Sequence, residues 1–185
     1  MTLEKASRMN FTEAFCNETL RVFPPSGGGM RTASEDVTIG GYTIPAGWVI
    51  SADPRISNNS PDIFPQPEKF IPERFMGGGC PFGFGSTSGD EATKDAMKAQ
   101  FELSKDGNGK FPDGAWFPGG IGSHKCPGVP LAMLTAKVTL MEFLERFESW
   151  EPAGELEPKW KVLPIKTLAD DYTITLTPAR LRVEA

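Results

Sequence analysis

The sequence predicts a mainly α-helical chain with small β-sheets and long irregular loops. Three observations carry that prediction. Residues 130–148 form one long apolar segment whose aliphatic residues recur at helical spacing. Short runs rich in β-branched and aromatic residues, at 35–52 and 172–178, are bounded by turn formers. Glycine and proline number 20 and 17 of 185 residues, well above the average of about 12% for the two together. Aromatic and aliphatic residues are still well supplied, so the chain is loop-rich without being disordered.

In chain order, residues 10–22, NFTEAFCNETLRV, read as a helix. Asn10 and Glu13 have the spacing of a capping box, and Phe11, Ala14, Phe15 and Val22 form an apolar stripe. Pro24-Pro25 ends the helix, because the residue before a proline avoids helical geometry. Gly27-Gly28-Gly29 reads as a loop. Residues 35–52 read as two short strands around the Gly40-Gly41 turn. Residues 53–75 are proline-rich and mostly irregular. Residues 77–115 read as a surface insertion, opened by Gly77-Gly78-Gly79 and closed by DGNGKFPDG. Within it, Ser88 and Glu91 make a capping box before a short amphipathic helix, DEATKDAMKAQFEL. In the 130–148 helix, Leu131, Leu134, Val138 and Met141 mark one face, and Leu140, Leu144 and Phe147 a neighbouring one. So wide an apolar arc predicts a buried helix. The run YTITLTP at 172–178 alternates as a strand does.

Composition excludes several function classes. The net charge is −5, which argues against nucleic acid as a partner. Cys16, Cys80 and Cys126 are far apart, and the chain has one histidine, so no Cys/His zinc set is available. A disulfide scaffold is equally unsupported, and a reducing compartment fits better. No apolar run reaches the roughly 20 residues that span a bilayer. The opening MTLEKASRMN lacks the apolar core of a signal peptide. Localisation is otherwise unknown from sequence. DGNGK misses the first Asp and final Glu of a calcium loop. GFGSTSG has Ser88 where a dinucleotide loop needs glycine. GxSxG is absent, and His124 has no nucleophile beside it for a triad.

Three features are odd together. Glu18 and Arg21 lie three apart and share a helix face; alone they read as an exposed ion pair of little worth. Pro72-Glu73-Arg74-Phe75 closes the proline-rich stretch. The third is FPGGIGSHKCPGVPLA, residues 117–132. Gly119, Gly120 and Gly122 would let its backbone approach a flat object. Cys126 stands at the start of the long helix, with Pro127 where proline is tolerated. Free N–H groups and the dipole there would favour a thiolate. Gly128 keeps the first turn thin. Alone, Cys126 reads as a buried structural thiol.

The order ETLR, PERF, GxSHxCxG and a long helix resembles the C-terminal, haem-proximal part of the cytochrome P-450 fold. The resemblance implies the haem-thiolate monooxygenase family, in an incomplete form. By resemblance, residues 10–76 are helix K, a small sheet and the meander, 77–115 an insertion, and 116–185 the thiolate loop, helix L and terminal strands. Glu18 and Arg21 are similar to the family's ExxR pair, and Arg74 to the arginine that interlocks with it beneath the haem. Cys126 is implied as the axial metal ligand of haem b and the catalytic thiolate. A thiolate pushes electron density onto iron and favours O–O cleavage. His124 and Arg31 match positions that contact the haem propionates. Gly120, Gly122 and Gly128 would let the loop lie against the porphyrin.

The implied parent reaction inserts one oxygen atom from O2 into a small organic or lipid substrate. It draws electrons from a reductase or ferredoxin. Two departures stand out. Gly119 replaces the usual phenylalanine seven residues before the cysteine, and the 77–115 segment is longer than the norm. The family's distal helices are not present, so the chain is expected to be a fragment, inactive alone, that pairs with the missing N-terminal half. A full-length parent could be membrane-anchored through that half. Alternatives are a truncated, non-catalytic haem-binding or interaction module, and part of a peroxide-using or hydroperoxide-rearranging member.

Overall fold

The helix expected over residues 10–22 forms as α1, Asn10–Val22, and most of the packing is organised around it. The computed structural model describes residues 8–76, 114–154, 159–161, 167–168 and 172–179. The insertion reading, with its capping box and helix, therefore falls almost wholly outside the described residues.

After α1 come strands β1 (Gly29–Thr32), β2 (Val37–Ile39), β3 (Tyr42–Ile44) and β4 (Val49–Ala52). A short helix, α2, covers Pro54–Asn58, and a 3₁₀ turn covers Pro72–Phe75. A second 3₁₀ turn, Gly122–His124, precedes the long helix α3, Val129–Arg146. Strands β5 (Phe147–Pro152), β6 (Trp160–Lys161), β7 (Thr167–Leu168) and β8 (Ile174–Pro178) follow. The strands pair as four two-stranded antiparallel sheets, β1–β4, β2–β3, β5–β8 and β6–β7.

Several elements differ from expectation, each for a physical reason. Gly29 belongs to a strand, because Gly29–Thr32 pairs back onto Val49–Ala52. That pairing requires a glycine at 28: a Cβ there would lie 1.8 Å from the Ala52 carbonyl oxygen, at φ +93. The proline-rich stretch contains α2, whose cap is the Asp53 carboxylate accepting from the Arg55 N–H at 2.9 Å. Hydrogen bonds from Arg55 hold the Asp53 carboxyl below the usual range.

The expected capping box at Asn10 does not form. Met9 takes the cap position, and the Glu13 N–H donates to its carbonyl at 3.0 Å. The Glu13 carboxylate is engaged instead by Lys137. The expected apolar stripe of α1 is buried only in part: Ala14 is in the core and Val22 half-buried, but Phe11 and Phe15 are exposed, and Cys16, Glu18 and Arg21 share the buried face with Ala14. The reason is that α1 packs on the Pro72–Phe75 turn and on α3. Proline enters α3 at its first turn through Pro130 rather than Pro127. Phe147 leaves the helix and starts β5.

The hydrophobic core joins Ala14, Phe64, Phe75 and Met76, with Ile63 and Trp116 against it. Phe64 packs on Phe75 and Trp116, with ring centroids 6.4 and 6.1 Å away. It is also fully buried beneath Arg21, whose guanidinium carbon lies 5.5 Å from the ring centroid. By contrast, α3 is not the buried helix its apolar arc predicts. Leu131 is 68% exposed and Leu144 is exposed, and Lys137 is the helix's one buried residue among those described. Among the described residues, α1 and β5 cover that arc only in part, leaving Leu134, Val138, Leu140 and Met141 half-buried.

Two outcomes follow from this packing. Phe64→Ala should lower unfolding stability by about 3 to 5 kcal/mol, read from the urea midpoint, because it opens a cavity under a buried cation. Burial holds the Cys16 thiol above its ordinary value of 9.0, opposed by the charge of Lys137. A raised folded-state value gives stability that is complete below the unfolded value and lost as pH rises through the folded one. Native protein should therefore lose stability with rising alkalinity more steeply than Cys16→Ala, and parallel curves would contradict this.

Candidate functional site

The Glu18 side chain is fully buried at the junction of α1 and the Pro72–Phe75 turn. Its Oε2 accepts from Arg21 Nε at 2.8 Å, and its Oε1 accepts from Arg21 Nη2 at 2.8 Å. This is a two-pronged pairing of one guanidinium with one carboxylate. The i, i+3 spacing on α1 sets it up, and burial makes it strong. Oε1 also accepts the Ile71 backbone N–H at 2.8 Å and Arg74 Nε at 3.2 Å. One carboxylate thus ties α1, the approach to the turn and the turn itself.

The two arginines spend their remaining N–H groups on backbone carbonyls. Arg21 Nη1 donates to Asn58 at 2.8 Å, and Nη2 to Lys69 at 3.0 Å. Asn58 returns a bond from Nδ2 to the Arg21 carbonyl at 3.0 Å. Arg74 donates to the carbonyls of Pro65, Gln66 and Lys69, at 2.6, 2.9 and 3.4 Å. Burial pushes the Arg74 guanidinium below its ordinary value; Glu18 opposes the shift and Arg21 adds to it. Arg21 and Arg74 are 1% and 3% exposed. Glu18 and Arg21, which taken alone read as an exposed contact and by resemblance as a set interlocked with Arg74, form with Arg74 the most buried ionic group described.

The cysteine loop is built differently. The Cys126 N–H donates to the Gly119 carbonyl at 2.8 Å, closing the loop on itself. The Gly122–His124 turn lies inside that closure, with Lys125 N–H on the Gly122 carbonyl at 3.1 Å. Gly119 stands where no side chain fits: at φ +82, a Cβ would come 2.3 Å from Val129 Cγ2 and 3.4 Å from Cys126 Cβ. The phenylalanine expected at that position in the family is thus excluded by the first residue of α3. Cys126 is exposed rather than buried, and it precedes α3 by three residues instead of opening it. Gly128 takes the cap position, and its Ala132 N–H bond of 2.8 Å starts the helix.

The structure therefore unites Glu18, Arg21 and Arg74, and groups Gly119, Gly120, Gly122, His124, Cys126 and Gly128 in one loop. Arg31 stands apart on β1, exposed, with its guanidinium on the Met30 carbonyl at 2.8 Å. His124 is exposed on its turn. Asn58, Phe64 and the Lys69 carbonyl were missed by sequence reasoning. Backbone acceptors leave no residue signature, and Asn58 ends a short helix with no motif of its own.

Glu18→Ala should cost about 3 to 5 kcal/mol, because it leaves two buried guanidinium groups without their carboxylate. Arg21→Lys should recover little, since an ammonium cannot span both carboxylate oxygens and two carbonyls. Urea unfolding of both variants checks this; a loss below about 1 kcal/mol, the range of an exposed pair, would contradict it.

Comparison with known proteins agrees with this architecture. The chain is 28% identical to cytochrome P-450 3A28 of Bos taurus over 182 residues, 98% of this chain and 29% of that protein. It is 32% identical to ent-kaurenoic acid oxidase 1 of Arabidopsis thaliana over 148 residues, 80% of this chain and 24% of that one. The solved structure of retinoic acid-bound cyanobacterial CYP120A1 matches with a TM-score of 0.73 at 26% identity, over 97% of this chain and 35% of that one. The chain thus spans well under half the length of these proteins. The family profile described as Cytochrome P-450 matches residues 1–169. With a match over most of its length and the fold of a solved member, this chain belongs to the cytochrome P-450 family.

Proposed function

We propose that the chain is the haem-binding, C-terminal portion of a cytochrome P-450 monooxygenase, and that Cys126 is the axial ligand. In this reading residues 10–76 form the support beneath the cofactor, 77–115 an insertion, and 116–185 the ligand loop, the long helix and the terminal strands. The family's cofactor is haem. The observation that carries the reading is the exposed Cys126 thiol on a loop whose outer backbone is bare. A Cβ at Gly122 would meet nothing within 4 Å, and one at Gly120 only the His124 carbonyl at 3.9 Å. A flat macrocycle fits such a face, and a thiolate suits its iron.

Each residue has a task in this reading. Cys126 holds the metal through sulfur. Gly128 lies beside the sulfur, where a Cβ would be in ordinary contact with Sγ at 3.5 Å. Gly120 and Gly122 admit the ring edge, and His124 and Arg31 supply donors for its propionates. Glu18, Arg21 and Arg74 keep the support beneath the loop rigid. When bound, haem supplies the iron at which dioxygen is reduced and one oxygen atom passes to an organic or lipid substrate. Electrons would come from a reductase or ferredoxin. The exposed Leu131 and Leu144 favour a parent protein in which further chain covers α3. Turnover would need that further chain.

The test is a carbon monoxide difference spectrum of the reduced chain supplied with haem. Native protein should give the red-shifted Soret band of thiolate ligation, and Cys126→Ser should lose it. A thiolate band that survives Cys126→Ser would sink the assignment.

A further inference from the structure

The long helix α3 exposes Leu131 and Leu144 and buries a lysine. Lys137 Nζ donates to Glu13 Oε2 of α1, across 124 residues of sequence. The Lys137 side chain is 7% exposed and Glu13 29%. We propose that this bridge is a positioning clamp: it sets where α3, and with it the Cys126 loop, stands relative to α1. The inference rests on reading Cys126 as the haem ligand, and Lys137 and Glu13 are positioning residues within it.

Three observations support the clamp. First, α1 carries both ionic groups. Glu13 and Glu18 are five positions apart, so on a helix of 3.6 residues per turn they point to different sides. Glu18 holds the Pro72–Phe75 turn, and Glu13 holds α3. Second, α3 transmits its position to the loop. Val129, its first residue, sits against Gly119, and the Cys126 N–H bonds the Gly119 carbonyl. Lys137 is two helical turns further on, on the same rigid rod. Third, the apolar arc of α3 is only half-buried at Leu134, Val138 and Met141 and is exposed at Leu131 and Leu144, so apolar packing alone holds the helix loosely. Among the described residues, the buried bridge is the polar contact between the two helices.

The test compares native chain, Lys137→Met and the exchange Glu13→Lys with Lys137→Glu. Each is supplied with haem, reduced and exposed to carbon monoxide, with circular dichroism as the check on folding. Methionine keeps the length of the side chain without its charge, and the partly exposed Glu13 can then take water. The clamp predicts that Lys137→Met keeps its helicity and loses most of its thiolate-type Soret intensity. The exchange should restore it. A folded Lys137→Met with an unchanged thiolate band overturns the clamp. If Lys137→Met does not fold, the exchange decides: recovery of fold and band supports the clamp, and failure to recover either overturns it.

If native chain itself gives no thiolate band, the reading of Cys126 fails. The clamp is then judged on the haem-free chain. Cys16 lies one turn from Glu13 and is buried. Its alkylation by iodoacetamide, followed by mass spectrometry, should be faster in Lys137→Met than in native chain. Equal rates would overturn the clamp.

Discussion

One carboxylate constrains this structure more than any other group. Glu18 is buried without solvent contact and receives four hydrogen bonds from three residues. An unpaired carboxylate at that depth would cost several kcal/mol. The chain around it is therefore obliged to bring Arg21, Ile71 and Arg74 to fixed positions. The arginines are obliged in turn to find carbonyls, and they find them on Asn58, Pro65, Gln66 and Lys69. An irregular stretch with little secondary structure of its own is held in place by acceptors that point at two guanidinium forks.

The value of such a group is geometric rather than a surplus of stability. Buried ion pairs often do no better than apolar side chains of the same volume, yet removing one partner is strongly destabilising. Such a group fixes the position of the elements it joins, here α1 and the Pro72–Phe75 turn. Phe64, packed beneath Arg21 and beside Phe75 and Trp116, joins the ionic cluster to the apolar core. Trp116 in turn sits next to the start of the cysteine loop in sequence. Support and loop are linked through the core on one side and through α3 on the other.

Much of this was legible in sequence, for identifiable reasons. The bounds of α1 follow from its helical spacing and from Pro24-Pro25. The order of ETLR, PERF and the cysteine loop pointed to the family before any fold was known. What stayed hidden depended on distance along the chain. Which face of α1 turns inward is decided by residues 71–74, so the apolar stripe held for Ala14 and misled for Phe11 and Phe15. Glu13 has local capping spacing, but Lys137, 124 residues away, takes its carboxylate. The strand Gly29–Thr32 has no alternating pattern and exists because β4 pairs with it. The arc of α3 signals burial, while the described residues cover it only in part. A backbone carbonyl such as that of Lys69 carries no signature at all.

Amide hydrogen exchange at Ile71 tests the central claim most directly. Its N–H donates to the buried Glu18 carboxylate, outside any strand or helix. If Glu18 anchors the fold, this amide exchanges only on global unfolding, as slowly as the buried turns of α1. Exchange at the rate of an open loop would mean that the carboxylate does not hold the turn, and the account would fall with it.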